Sequence, residues 1–195
     1  MHYLTRLVVI GLIGLLGCGI PPGIPKDPTS PVTTVYRIKA GDHSSDHSKL
    51  SYTAKTTLSF TVTFDSSAIY TSKTAENQYD INKLYGFSDC GQQHNTASAR
   101  FGWNWRDNAL HIHAYCYRNG ERIAEELGTV PLNQPVDYQV SIVGGNYVFT
   151  FQGKETVIAR GCTTVQSNKR YRLYPYFGGD EVAPHPITIS ITEKN

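Results

Sequence analysis

The chain has 195 residues, enough for one domain with a sizeable core and too few for two comfortable ones. Its 18 basic and 16 acidic residues leave a formal net charge of +2, which gives no electrostatic case for a nucleic acid partner or an anionic membrane surface. The 17 glycines, 10 prolines and 13 tyrosines against a single methionine argue against a helix bundle and are typical of a turn-rich β protein.

The N-terminal segment, residues 1–17, has the parts of a bacterial signal peptide. Arg6 belongs to a short, weakly basic start, and an apolar run from Leu7 to Leu16 follows it. That run is about half as long as a bilayer-spanning helix needs to be. The sequence Leu15-Leu16-Gly17-Cys18 resembles the lipobox of bacterial lipoproteins. The resemblance implies cleavage before Cys18, lipidation of its thiol and a membrane-anchored protein of the bacterial cell envelope.

The alternative is an ordinary secretory signal that is cleaved elsewhere and leaves Cys18 to pair with another cysteine. Residues 18–31 contain five prolines, so this segment is predicted to be a stiff, extended tether. We therefore predict a single folded domain over residues 32–195, held away from the membrane. Whether it faces the periplasm or the cell surface is left open.

Three cysteines remain when Cys18 is set aside, and an exported compartment permits disulfides. Cys116 is in register with the apolar positions of its predicted strand, so we assign it to the core as a free thiol. Cys90 and Cys162 lie in turn-like contexts and are the predicted disulfide. No two cysteines have the C-x-x-C spacing of a zinc site, and we predict no metal.

Apolar and polar residues alternate with a period of two along the folded part, and no segment has the pattern of an amphipathic helix. Turn signals such as Asn119-Gly120 separate the strands, which predicts an all-β antiparallel sandwich. Residues 68–95 are less regular and are expected to form long loops or a short helix. The predicted strands cover residues 57–64, 99–105, 110–117, 122–130, 136–143, 147–151, 156–159, 171–177 and 187–192.

The stretch Gly128–Val143, followed by Asn146–Gly153, resembles the back half of concanavalin-like jelly rolls. Strands of this kind end there in a tight turn carrying a glycine, as at Gly153-Lys154. The resemblance covers only this part of the domain and uses no rare residue types. It implies a jelly-roll architecture and no particular activity.

One face of the predicted strands carries the candidate site. Apolar residues share one face of strands 99–105 and 110–117, and the other face lacks the Thr, Ser and Lys of a solvated sheet. In the predicted strand 171–177, every second residue from Arg172 is again aromatic or basic, so a third strand is predicted to add to this polar and aromatic face. Aromatic rings stack on sugar rings, while Arg, His and Asn pair with hydroxyls or carboxylates, so this face predicts glycan binding. The candidate ligand-binding residues are Arg100, Asn104, His111, His113, Tyr115, Tyr117, Arg172, Tyr174 and Tyr176.

Other interpretations of the same face stay open. The side chains can simply form cross-strand pairs that stabilise an exposed sheet, each contributing about 0.2–1 kcal/mol. An adhesive or structural envelope lipoprotein can use the aromatic face to bind protein. A metal site at His111 and His113 needs a third ligand, and His94 and His185 are in loops of unknown position.

Enzymatic interpretations differ in what they require. A retaining glycosidase needs two carboxylates on one strand face, whereas the adjacent Glu125 and Glu126 point in opposite directions. A polysaccharide lyase needs a residue that neutralises a uronate carboxylate, a base and an acid. Arg100 or Asn104, His111 or His113, and Tyr115 or Tyr174 can supply these roles. Jelly-roll lyases carry Gln-Ile-His and Tyr-Phe-Lys motifs, of which the chain has only fragments, at 111–113 and 176–178.

The loop between the last two predicted strands places Asp180 and Glu181 after Gly178-Gly179. We interpret it as a capped turn between strands. A Ca²⁺ ion near Asp180 is the alternative, because carboxylate oxygens are the ligands this ion prefers.

Overall fold

The structure, a computed structural model, describes residues 31–162 and 170–194. The signal peptide, Cys18 and all of the tether before Pro31 lie outside the described residues, so their predicted roles stay predictions. Within the described ranges, no helix has the length and apolar character needed to cross a membrane.

Eleven strands form two antiparallel sheets in the described part of the chain. One sheet has the order β1-β11-β2-β7-β8-β9, and the other has the order β10-β3-β4-β5-β6. The strands are β1 Thr33–Ile38, β2 Thr57–Phe64, β3 Asn82–Ser88, β4 Ala97–Arg106, β5 Ala109–Arg118, β6 Glu121–Val130, β7 Val136–Val143, β8 Asn146–Phe151, β9 Lys154–Ala159, β10 Arg172–Leu173 and β11 Ile187–Glu193. The predicted antiparallel sandwich is confirmed.

The core lies between the two sheets and is rich in aromatic rings. In β2, every second residue from Leu58 to Phe64 is buried, as the period-two pattern predicts. The Phe101 ring of the other sheet lies 5.8 Å from Phe60 and 5.0 Å from Phe149, measured between ring centroids. Burying each such side chain contributes about 1.5–3 kcal/mol, so this layer supplies much of the sandwich's stability.

Tight turns determine the register of the β4-β5-β6 meander. Asn119 and Gly120 have φ values of 53° and 84°, and Asp107 and Asn108 have 50° and 57°. Positive φ at both central positions is the signature of a type I′ hairpin turn. The resulting pairing places Arg100 of β4 opposite Tyr115 of β5. The candidate site is built on this register.

The irregular segment contains a strand that the sequence pattern did not predict. A 3₁₀ turn at Ser66–Ala68 ends where this segment begins, and a second one at Ala75–Tyr79 fits the expected short helix, but β3 then begins at Asn82. A bulge between Lys83 and Gly86 shifts the pairing of β3 with β4. Because a bulge breaks the period of two, β3 shows no clean alternation.

The predicted strand 171–177 is shorter than expected. Only Arg172–Leu173 forms β10, paired with β3. Pro175 has no N–H to donate to a ladder, and the bulge in β3 shifts the partner strand. Tyr176 pairs again with Lys83 through two backbone hydrogen bonds of 2.8 and 3.0 Å.

The predicted cysteine assignments are confirmed. Cys90 and Cys162 form a disulfide with a Cα–Cα distance of 5.9 Å, and Cys116 is a buried free thiol. Next to the disulfide, the buried Asp89 carboxylate accepts from Arg160 Nε at 2.8 Å and from Arg170 Nη2 at 3.1 Å. The disulfide and this ion cluster hold the start of the 90–96 loop against the body of the domain.

Candidate functional site

The outer face of the five-stranded sheet is divided into two parts by a residue that precedes β3. Gly102 lies between Arg100 and Asn104 along β4, and a Cβ at Gly102 would be 2.4 Å from Ile81 Cγ2. Ile81 therefore covers the middle of the face. The candidate residues of β4 and β5 fall into two groups, one on each side of it.

The first group lines a cavity of about 450 Å³, here called the edge pocket, beside β3, β4 and β5. The segment 171–176 forms its other side. None of its lining residues in the described part of the chain is acidic. Six of the predicted site residues line it: Arg100, Tyr115, Tyr117, Arg172, Tyr174 and Tyr176. Lys83, His94 and Tyr171 line it as well and were not predicted.

Two cations flank one aromatic ring in the edge pocket. The guanidinium carbon of Arg100 lies 5.2 Å from the Tyr115 ring centroid, and Lys83 Nζ lies 5.3 Å from it. Arg100 is only 7% exposed, and its Nε has no hydrogen-bond partner among the residues that the structure describes. Within residues 31–162 and 170–194, neither cation forms an ion pair. Cation–π contacts offset only part of the cost of burying charge, so the pocket attracts an anion.

Burial and mutual repulsion alter the ionisation of the pocket groups. Burial, followed by the charge of Arg100, lowers the pKa of Lys83 to about 8, and Asp80 offsets part of this shift. Burial also lowers the pKa of Arg100, although a guanidinium stays protonated in proteins. Burial raises the pKa of Tyr115 to about 12, with its neighbour Tyr117 adding to the effect. At neutral pH Arg100 and Lys83 therefore both carry a positive charge, and the Tyr115 phenol keeps its proton.

Glycine allows Lys83 to reach its position. A Cβ at Gly178 would be 2.1 Å from Lys83 Nζ, so the amine lies directly against the Gly178 backbone. Gly179 has φ +83°, and a Cβ there would be 1.9 Å from Asp80 Oδ2. The two glycines thus permit close approach as well as the turn expected from the sequence.

Aromatic rings form the rim of the edge pocket. Tyr176 is 40% exposed and stacks on His43, with ring centroids 5.2 Å apart and planes 7° apart. The Tyr171 hydroxyl accepts a hydrogen bond from the backbone N–H of His94 at 2.9 Å. These partners hold both rings in fixed orientations beside the cavity.

Arg172 and Tyr174 differ from the prediction, because their side chains are not on the face that carries Arg100. Arg172 pairs with the core residue Phe87, donates to the Tyr85 hydroxyl at 2.8 Å and forms an ion pair with Glu193. The Tyr174 ring lies 5.9 Å from the Tyr85 ring, at the edge of the core. The assignment of every second residue of 171–177 to one face was wrong for these two residues, because β10 is only two residues long and pairs with a bulged strand.

The second group, here called the histidine cluster, consists of Asn104, Arg106, His111, His113 and Glu126. His113 Nε2 is 3.1 Å from Asn104 Oδ1, and His111 Nδ1 is 2.8 Å from Glu126 Oε1. Arg106 forms an ion pair with Glu126. Burial lowers the pKa of His113 to about 4, so its ring is neutral at pH 7. Burial alone would raise the pKa of Glu126, but the His111 hydrogen bond and the Arg106 charge lower it overall.

The 3₁₀ turn Ala75–Tyr79 packs against the histidine cluster. The Asn104 amide donates to the backbone oxygen of Gln78 at 3.5 Å, and the Arg106 guanidinium lies 5.8 Å from the Tyr79 ring centroid. Asn104, His111 and His113 do not line the edge pocket. The structure therefore separates these three predicted ligand-binding residues from Arg100 and Tyr115.

The candidate third metal ligands lie elsewhere. His94 lines the edge pocket, and His185 Nε2 is 2.9 Å from the Ser67 backbone oxygen. Across the described ranges, the one group of three or more potential metal ligands is Asp89, Cys90 and Cys162, and both of its cysteines are disulfide-bonded.

The loop after β10 is joined to the segment 73–77 through Glu181. The Glu181 carboxylate accepts from the backbone N–H groups of Lys73 at 2.8 Å and Thr74 at 2.9 Å, and from the Asn77 amide at 3.0 Å. Glu181 thereby fastens the 73–77 segment to this loop. A Ca²⁺ ion near Asp180 stays a prediction.

Known structures share this architecture. The fold is similar to that of the alginate lyase AlyC3, with a TM-score of 0.53 and 11% identity over 83% of this chain and 72% of that chain. The fold is a jelly-roll β-sandwich. Lower similarity extends to an alginate lyase from Alteromonas sp. 272, with a TM-score of 0.46 and 8% identity over 86% of this chain and 88% of that chain. SCLam, a non-specific endo-β-1,3(4)-glucanase from family GH16, has a TM-score of 0.46 and 8% identity over 70% of this chain and 56% of that chain.

No protein family model matches the chain, and no curated protein matches its sequence. At 11% identity, the similarity to AlyC3 shows the jelly-roll fold alone. What the site of this jelly roll binds must therefore be argued from its own residues.

Sequence reasoning missed Lys83, the second cation of the edge pocket. It lies at the bulge of β3, in the segment interpreted as irregular, so no face could be assigned to it. His94 was missed for the same reason, because it lies in the segment 68–95. Tyr171 was missed because the assignment of every second residue of 171–177 to one face placed it on the face opposite to Arg172, Tyr174 and Tyr176. A local signal for Lys83 was its place directly before the short apolar stretch Leu84–Phe87, because a lysine beside a buried segment is partly withdrawn from water and needs a polar partner.

Proposed function

We propose that the protein binds an acidic glycan in the edge pocket. The observation that carries the proposal is the Arg100 guanidinium, which is buried, has an unpaired Nε and lies over Tyr115 beside Lys83. A uronate carboxylate is a planar anion that an arginine can bind through paired, charge-assisted hydrogen bonds. The exposed ring of Tyr176 offers a surface for a pyranose ring. AlyC3, whose fold is similar, is an alginate lyase, which agrees with a glycan ligand.

Calorimetric titration with acidic and neutral oligosaccharides tests this proposal. Oligomannuronate is expected to bind, and neutral cello-oligosaccharide of the same length is expected to bind at least about 10-fold more weakly, because it lacks the carboxylate. Arg100→Gln should strongly reduce this preference, and Lys83 should retain a part of it. Arg118→Gln is the matched control, since Arg118 pairs with Glu121 and does not line the pocket. Equal binding of both sugars, or no effect of Arg100→Gln, would contradict the proposal.

A second candidate function is a polysaccharide lyase that uses the same pocket. The observation that favours it is the pairing of Lys83, whose pKa is about 8, with Tyr115, which keeps its proton. A base with a pKa near the working pH is suited to proton abstraction. His111 and His113 do not line the pocket, so this lyase uses a different base from the lyase that the sequence analysis left open as an alternative.

The chemistry would be a β-elimination on a uronate. Arg100 pairs with the carboxylate, and the neutral Lys83 amine takes the proton from the adjacent carbon. The carbon–oxygen bond to the leaving sugar then breaks, a carbon–carbon double bond forms, and the Tyr115 hydroxyl donates a proton to the leaving oxygen. Incubation with uronate polysaccharides tests it, with the ultraviolet absorbance of the unsaturated products as readout. Products that form with wild type and not with Lys83→Met would support the lyase, whereas binding without products would leave binding as the function.

We also propose that the chain is exported and lipid-anchored through Cys18 in the bacterial cell envelope. The Cys90–Cys162 disulfide supports export, because disulfides persist in oxidising compartments. Labelling cells with a radioactive fatty acid tests the anchor. Label should enter the wild-type protein and not Cys18→Ala, and the variant should leave the membrane fraction. Label retained by Cys18→Ala would contradict the proposal.

A further inference from the structure

We infer that the glycan surface continues past Tyr171 into a second subsite, so that the ligand is a chain of several sugars bound along its length. This inference rests on the proposed function. The second subsite, here called the outer subsite, is an open cavity of about 550 Å³ lined by Tyr52, Gly91, Gln92, Gln93, Thr96 and Tyr171. Tyr171 lines the edge pocket too, so the two cavities share one wall.

Two chain segments run alongside both cavities. Ser44 forms an isolated antiparallel β-bridge with Tyr176, and Tyr52 forms another with Tyr171. The segments 44–52 and 171–176 therefore run antiparallel to each other. Ser44 and Tyr176 line the edge pocket, whereas Tyr52 and Tyr171 line the outer subsite. Because the same two segments pass from one cavity to the next, the cavities form successive parts of one groove.

The shared wall is held rigidly. The Tyr171 hydroxyl accepts from the His94 backbone N–H at 2.9 Å and donates to Gln93 Oε1 at 3.3 Å. Its backbone N–H donates to Ser88 Oγ at 3.0 Å. The loop that carries Gln93 begins at Cys90, which is fixed by the disulfide. A groove whose dividing wall is preformed loses little conformational entropy when a chain binds across it.

The two cavities offer complementary chemistry. The outer subsite has no charged side chain among its described lining residues, in contrast to the edge pocket with Arg100 and Lys83. Its Tyr52 ring is 64% exposed and lies edge-on to Tyr171, with centroids 6.4 Å apart. An exposed ring stacks on a pyranose face, and the exposed amide of Gln92 can bond to hydroxyls. The edge pocket would thus bind a carboxylate while the outer subsite binds a neighbouring ring.

Chain length is the variable that tests the inference. Linear oligomannuronates of two, four, six and eight units are titrated calorimetrically into the folded domain. Once one sugar is held at Arg100, contact with the outer subsite is intramolecular, so affinity should rise at least about 10-fold from the shortest to the longest chain. Tyr52→Ala should reduce the affinity for the longest chain to nearly that for the shortest. It should leave binding of the shortest chain unchanged.

Tyr79→Ala is the matched control, because Tyr79 is 63% exposed and lines neither cavity. Thermal unfolding of each variant verifies that it is folded. Equal affinity for all lengths, or an equal loss at every length in Tyr52→Ala, would overturn the outer subsite while leaving the edge pocket intact. Failure of every oligomannuronate to bind wild type would overturn the proposed function and this inference with it.

Discussion

The Ile81 side chain lies over Gly102, where a Cβ would be only 2.4 Å from Ile81 Cγ2. The absence of a side chain at Gly102 lets the residue before β3 cross the outer face of the sheet. The crossing separates Arg100, in the edge pocket, from Asn104, in the histidine cluster. One apolar contact therefore decides which polar residues can act together.

Gly102→Ala should destabilise the domain by about 1–3 kcal/mol, because the new methyl group must displace Ile81. A Cβ there would also lie 3.0 Å from the Asn82 backbone oxygen, which leaves little space for relaxation. Urea unfolding measures the change.

Gly145→Ala is the control for this prediction. A Cβ at Gly145 meets nothing within 4 Å, and its φ is not in the left-handed region. The urea concentration at the midpoint of unfolding of Gly145→Ala should stay close to that of wild type. Equal midpoints for Gly102→Ala and Gly145→Ala would contradict the close packing of Ile81.

The histidine cluster makes stability depend on pH. The pKa of His113 is lowered by burial to about 4, against 6.5 for an unfolded histidine. Between these values the unfolded chain binds a proton that the folded chain does not, so the free energy of unfolding falls as pH decreases through this window. The slope contributed by His113 is at most about 1.4 kcal/mol per pH unit. Urea titrations between pH 7 and pH 4 measure it.

Replacing the histidine isolates its contribution to this slope. His113→Gln keeps a donor for Asn104 and should flatten the pH dependence, whatever its effect on stability at pH 7. His47→Gln is the control, because the His47 side chain is 61% exposed. An unchanged slope in His113→Gln would show that His113 does not resist protonation in the folded state.

The carboxylate beside the disulfide is expected to be essential for stability. Asp89 is fully buried and balances Arg160 and Arg170. Asp89→Asn removes the negative charge that both guanidinium groups share, and we expect a loss of about 3–5 kcal/mol. Asp137→Asn, which removes an exposed ion pair with Lys194, should cost less than about 1 kcal/mol. Thermal or urea unfolding compares the two variants, and similar losses would contradict the prediction.

Local sequence signals were sufficient for much of the sandwich. Alternation along β2 predicted which side chains are buried, and the Asn119-Gly120 turn predicted the β5–β6 hairpin. Both signals depend on residues that are close in the chain. The disulfide could be predicted as well, because only Cys116 occupied a core position among the three remaining cysteines.

The candidate site depends on contacts between distant residues and was predicted only in part. Arg100 and Tyr115 share a face because β4 and β5 are adjacent strands, and this was predictable. No local pattern shows that Ile81 crosses the face at Gly102, or that a bulge directs Lys83 into the pocket. Bulges and crossings arise from tertiary packing, and they decided which predicted residues line the edge pocket.

The charge of Lys83 should control how acidic glycan binding responds to pH. Its pKa of about 8 means that the amine is mostly protonated at pH 7 and mostly neutral at pH 9. Since Arg100 stays protonated throughout, affinity for oligomannuronate should fall several-fold, up to about 10-fold, over this interval without being abolished.

Lys83→Met should bind oligomannuronate more weakly than wild type at pH 7, and its affinity should change little further up to pH 9. Lys154→Met, in which the replaced lysine does not line the pocket, should retain the wild-type profile. Calorimetric titration at each pH measures all three proteins, and a wild-type affinity that is constant from pH 7 to pH 9 would show that the Lys83 amine does not contact the anion.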